Sequence, residues 1–148
     1  MNTPQNRSNS TEQDPRFVSG RWRGFWIQGS SRSRTELQLS FADCGVSGVG
    51  HDWVGDYSIR GSYDLESGKV AWRKSYLGSH AVAYDGIAET TNGIWGMWSI
   101  AAYDKGGFQI WPEEGPANAE SLDAAAERPV DADAPTVESE VAEPALAP

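Results

Sequence analysis

Between Arg21 and Trp111 apolar side chains recur at alternate positions in short runs, and the runs are separated by Gly, Asn, Asp and Ser. A period of two is the repeat of a β-strand, whose successive side chains point to opposite faces, and no part of this stretch returns its apolar residues at the 3.6-residue spacing of a helix. The pattern predicts strands over residues 21–28, 35–41, 45–49, 56–63, 69–76, 81–89, 93–100 and 107–111. The turn chemistry agrees with this division: residues 64–68 and Asn92-Gly93 suit hairpin connections, and residues 104–107 are expected to join the last two strands. Antiparallel strands linked in sequence order, each with one apolar face, bury those faces by closing into an up-and-down barrel or by stacking as a two-sheet sandwich. The short links leave little chain for sandwich crossovers, and closure removes both exposed edges, so an all-β, eight-stranded antiparallel barrel is the expected architecture.

Material for a core is confined to the same stretch. All sixteen aromatic residues, seven of them Trp, lie at or before Trp111. Residues 1–16 form a polar arm, and residues 113–148 an Ala/Pro/Glu-rich tail with too little apolar surface to offset the entropy of ordering it, so both are expected to be disordered around a domain spanning residues 17–112. Ten of the 21 acidic residues fall in that tail beside a single basic one, Arg128, so the tail carries −9 and the first 112 residues are neutral. A neutral domain with a polyanionic tail argues against nucleic acid as a partner, although Arg21, Arg23, Arg32, Arg34, Arg60 and Arg73 supply cations. The single Cys44 forms no internal bridge, the polar opening Met-Asn-Thr-Pro-Gln-Asn reads as that of a cytoplasmic protein, and no run approaches the roughly 18 apolar residues of a membrane helix.

Alternation assigns faces within the strands. Leu37, Leu39 and Phe41 share one side of the second strand, and Tyr57, Ile59, Gly61 and Tyr63 one side of the fourth. In the fifth, Lys74 falls on the apolar side with Val70, Trp72 and Tyr76; in the sixth, His80 shares a face with Val82, Tyr84 and Gly86. Trp72, Lys74, Tyr76, His80 and Tyr84 therefore gather inside two neighbouring strands joined by Leu77-Gly78-Ser79. A cationic pair among aromatic walls suits an anionic or amphipathic small molecule, because a few placed polar groups in an apolar pocket orient a ligand. The same residues also satisfy a structural role, with Lys74 and His80 reaching water at the mouth and the tyrosines bonding the backbone. The first and seventh strands place large apolar residues on both faces (Trp22 and Trp26 against Phe25 and Ile27; Trp95 and Met97 against Ile94, Trp98 and Ile100), and an outward apolar face marks a contact site for a protein partner or a second copy of the chain, or a covering by the polar arms.

Gly20-Arg21-Trp22, entering the first strand after a polar arm, resembles the Gly-x-Trp opening of the calycin barrels, the group of lipocalins, fatty-acid-binding proteins and avidins. The resemblance spans about residues 18–112 and implies a barrel with Trp22 across its closed end and a small organic ligand inside. Those families commonly set an Arg or Lys of the last strand over that Trp; here the last strand reads Gly-Gly-Phe-Gln-Ile-Trp-Pro.

Other constellations carry less. Gly45-Val-Ser-Gly48-Val-Gly50 lacks the helix a phosphate loop requires and is read as a set of bends. His51-Asp52-Trp53, with Asp56 nearby, is read as a solvent-exposed loop, since two histidines and one cysteine in the chain do not furnish a typical zinc site. His80 and Asp85 point to opposite faces of a strand and make no catalytic pair. Two functional readings follow, neither enzymatic and neither needing a cofactor: a barrel holding a small ligand among Trp72, Lys74, Tyr76, His80 and Tyr84, or a barrel filled by its own side chains that acts through an outer aromatic surface.

Overall fold

The computed structural model describes residues 12–101 and 104–114. Eight antiparallel strands run in sequence order, β1 (Gly20–Gln28), β2 (Ser31–Ala42), β3 (Gly45–Asp52), β4 (Gly55–Tyr63), β5 (Lys69–Tyr76), β6 (Ala81–Glu89), β7 (Gly93–Ile100) and β8 (Asp104–Pro112). Each pairs with its neighbour, and β8 pairs with β1, with Trp22 opposite Pro112 and Trp26 opposite Phe108, so the sheet closes on itself. Closure satisfies every strand edge and turns the apolar face of each strand inward. Trp22, Trp26, Leu37, Leu39, Phe41, Tyr57, Ile59, Trp72, Tyr84, Trp98 and Phe108 are all buried in one continuous core.

Several bounds differ from the sequence reading, and β3 runs on to Asp52 rather than ending at residue 49. β2 begins at Ser31 rather than residue 35, because 31–34 continue the ladder against Gln28 to Phe25. β8 begins at Asp104, so residues 104–107, expected as a turn, are strand: Ser99 faces Lys105 and Met97 faces Gly107. Gly106 reads as a turn residue but is required inside the strand, since a Cβ there would lie 2.1 Å from the Ile27 carbonyl oxygen and 2.8 Å from the Trp98 indole nitrogen. Residues 12–16, read as part of the polar arm, also make contacts with the barrel. Glu12 donates its amide to Phe41 and accepts from the Tyr63 hydroxyl at 2.7 Å, and Arg16 pairs with Asp14 at 2.8 Å while reaching the Leu65 carbonyl. Residues 1–11 and the tail from 115 onward, read as disordered, lie outside the described residues.

The ordered lead-in plugs one end of the barrel. Phe17 is fully buried, stacked on Tyr63 with centroids 4.4 Å apart and tilted against Phe41. Trp22 lies at the same end, with its Nε1 donating to the Val18 carbonyl and its ring 5.9 Å from that of Phe41. The opposite mouth is formed by the end of β1, the β3–β4 and β5–β6 turns and the end of β7, and it holds the polar residues of the interior.

Candidate functional site

The five residues singled out from sequence do come together at the open mouth. Trp72, Lys74, Tyr76 and Tyr84 point inward and are buried; His80, half-buried in the turn before β6, lies against Tyr76 with centroids 5.2 Å apart. Trp72 stacks on Tyr84 at 5.8 Å, and Phe108 packs edge-on against Tyr84. The strand parity that put Lys74 among apolar neighbours thus corresponds to a real interior ammonium.

What occupies the head-group position is another residue of the same chain. Asp52, read from sequence as part of an exposed loop, ends β3 and turns its carboxylate into the barrel, where the side chain has 0% exposure. Its Oδ2 accepts from Lys74 Nζ at 2.9 Å, Tyr76 OH at 2.7 Å and Trp26 Nε1 at 3.1 Å. Its Oδ1 accepts from the Val54 amide at 2.9 Å and the Gly55 amide at 3.4 Å, holding the β3–β4 turn. The register explains the placement: Asp52 lies at an even step from Val46 through Gly48 and Gly50, and Val46 is buried. Two glycines on the inward face conceal that alternation in the sequence. At Gly50 a Cβ would sit 2.5 Å from the Tyr57 hydroxyl, so the missing side chain makes room for the tyrosine beside the site.

Lys74 Nζ is surrounded by π faces as well as by the carboxylate. The rings of Tyr57, Tyr76, Tyr84 and Trp26 have centroids 4.2, 5.0, 5.4 and 5.5 Å away, and the Tyr84 hydroxyl lies 3.2 Å from Nζ. Such rings attract a cation through their quadrupoles, most strongly where water is excluded. Burial still penalises the charge, and although Asp52 opposes it, the ammonium is pulled down to about 8. Tyr76 and Tyr84 are pushed well above the ordinary tyrosine value, by burial first and then by the negative charge of Asp52 and by neighbouring tyrosines. Burial likewise raises Tyr57, whose hydroxyl is bonded to Thr35.

Among the described residues, little space is left beside these side chains. Behind Asp52 a cavity of about 10 Å³ is bounded by Thr35, Tyr57, Trp72, Lys74 and Tyr84 among others, about the room of one water molecule. Trp72 Nε1 and the inward Ser33 Oγ are buried and have no hydrogen-bond partner among the described residues.

Larger depressions lie on the outside. One of about 510 Å³ crosses the outer wall of β1–β4, where Arg21, Arg23 and His51 alternate with Glu36, Asp56 and Glu113; opposite charges meet there, as in the Arg21–Glu113 contact at 2.9 Å. A second, of about 360 Å³, is lined by Phe25, Ile27, Asn92, Trp95, Gly96, Gly107 and Gln109 on β7, β8 and β1. Here the outward face of the first strand is partly covered: Phe25 packs edge-on against Trp111 and beneath Arg32, whose Cζ lies 4.7 Å from the ring centroid. Trp95 and Met97 are left 44% and 48% exposed. Among the described residues no three or more His, Cys, Asp or Glu side chains are grouped so as to hold a metal.

A closed, eight-stranded antiparallel barrel with consecutive strands neighbouring is compatible with a calycin-like architecture. Comparison with protein-family models, with curated proteins and with solved structures finds no match.

Proposed function

We propose that this barrel is a non-enzymatic protein-interaction module that works through the outer wall of β7, β8 and β1. The observation carrying this reading is the contrast between a cavity of only about 10 Å³ beside Lys74 and an exterior that leaves Trp95 and Met97 in water beside a groove of about 360 Å³. Exposed large aromatics next to a groove supply the anchors on which interface energy concentrates. The register gives the face a direction: Trp95 pairs with Gln109, Gln109 with Phe25, and Phe25 with Arg34, so an apolar half passes into a basic flank within one row of the sheet. Arg32, over Phe25, extends that flank. The partner that fits is a polypeptide segment presenting an aromatic or aliphatic side chain to the groove beside Trp95.

Selection of random peptides on the full chain, with counter-selection on a Trp95→Ser, Met97→Ser variant, tests this. Enrichment of sequences that carry an aromatic or aliphatic anchor, and that bind the variant at least about tenfold more weakly, supports the reading. Equal binding to both proteins refutes it.

A further inference from the structure

We propose that the mouth of the barrel is a carboxylate-binding site whose resident ligand is the chain's own Asp52, so that a free small carboxylate takes the same donors once the β3–β4 hairpin gives up its place. This rests on the interior and is independent of the outer-wall reading.

The two oxygens of Asp52 do different work. Oδ1 serves its own turn, accepting the amides of Val54 and Gly55. Oδ2 serves nothing local: its three donors come from β1 and β5, on the walls across the mouth. Those donors are held by contacts that do not involve Asp52. Tyr76 is fixed between Tyr57, 5.7 Å away edge-on, and His80; Lys74 Nζ is held by the Tyr84 hydroxyl and four rings; Trp26 packs edge-on against Trp98. An indole N–H, an ammonium and a phenol therefore converge on one point, which is how a small number of fixed donors recognises an anion in an apolar site.

The hairpin supplying the internal ligand is slight. Two residues, Trp53 and Val54, separate β3 from β4, and Trp53 stands 58% exposed at the tip. Deeper in, the small cavity behind the carboxylate is bounded by Trp72, whose Nε1 lacks an acceptor among the described residues. A ligand with a second oxygen, such as a short hydroxy acid, would find a donor there that Asp52 does not use. Because the internal ligand is tethered at high effective concentration, a free carboxylate competes weakly with it in the intact chain and binds readily only when Asp52 is removed.

The test uses the full chain carrying Asp52→Ala, with acetate and glycolate as probes. Its melting temperature is expected to rise by a constant increment for each tenfold increase of acetate above Kd, as mass action requires, with no rise in sodium chloride of equal ionic strength and none in an Asp52→Ala, Lys74→Met double variant. Glycolate is expected to act at lower concentration than acetate. A folded Asp52→Ala protein whose melting temperature responds equally to acetate and chloride overturns the proposal. Should that variant be unfolded without additive, mass action makes acetate draw it into the folded state: recovery of its near-ultraviolet circular dichroism in acetate but not in chloride supports the site, and no recovery in acetate overturns it.

Discussion

Lys74→Met and Asp52→Asn, made singly and together, probe the buried pair directly. Methionine keeps the unbranched stem without the charge, and asparagine keeps an oxygen for the Val54 amide. Lys74 is 2% exposed and the Asp52 side chain fully enclosed, so either single change strands one charge in the interior. Removing one partner of such a pair costs about 3–5 kcal/mol. Lys74→Met should fall near the lower figure, because Trp26, Tyr76 and two amides still serve the carboxylate. Independent effects would sum to roughly 6–10 kcal/mol, whereas a pair that chiefly neutralises itself leaves the double variant close to either single one, with a coupling of about 2 kcal/mol or more. Urea unfolding of the four proteins measures this, and melting temperatures should move by about 4–8 °C for each kcal/mol in a domain of this size. Additivity within about 0.5 kcal/mol would show that the two groups do not stabilise one another and would refute the reasoning.

Stability should also depend on pH in a defined direction. With Lys74 at about 8 when folded against 10.5 when unfolded, the unfolded chain holds a proton that the folded one has released, so stability rises with pH across that window, by at most about 1.4 kcal/mol per pH unit. Tyr57, Tyr76 and Tyr84 act oppositely above their ordinary value of 10, since the unfolded chain then loses protons the folded one keeps; denaturation from pH 7 to 11 should show a maximum near 10, and Lys74→Met should abolish the rise. Gly106→Ala should lower stability by about 1–3 kcal/mol by wedging into the Trp98–Ile27 hydrogen bond, whereas Gly107→Ala, with its nearest neighbour 3.7 Å away, should leave thermal unfolding unchanged while raising the floor of the outer groove and weakening peptide binding. Phe17→Ala should cost about 3–5 kcal/mol in the same assay, since it removes the plug against Tyr63 and Phe41. Trp95→Ser with Met97→Ser should leave stability within about 0.5 kcal/mol of the unaltered chain, which separates loss of binding from loss of fold.

The strands, their order and the inward faces of β2, β4, β5 and β6 are legible in the amino-acid sequence, because a period of two and hairpin turns are local properties: Leu37, Leu39 and Phe41, or Val70, Trp72 and Tyr76, state which side is buried without reference to any partner. The sequence also brought Lys74, Tyr76, His80 and Tyr84 to one place, since their two strands are joined by a short turn. Where alternation is written in glycine, it leaves no apolar signal. The face carrying Val46, Gly48, Gly50 and Asp52 has one apolar side chain in four, so nothing local marked Asp52 as interior, and Gly106 looked like a turn residue when its constraint comes from Ile27 and Trp98 across the sheet. Barrel closure decided the rest. Bringing β1, β3 and β5 around one mouth set a carboxylate from residue 52 against an ammonium from residue 74 and an indole from residue 26, and it left Phe25 covered by Trp111 and Arg32 while Trp95 stayed in water. Those outcomes depend on which strands meet in space, and a two-residue period carries no record of that.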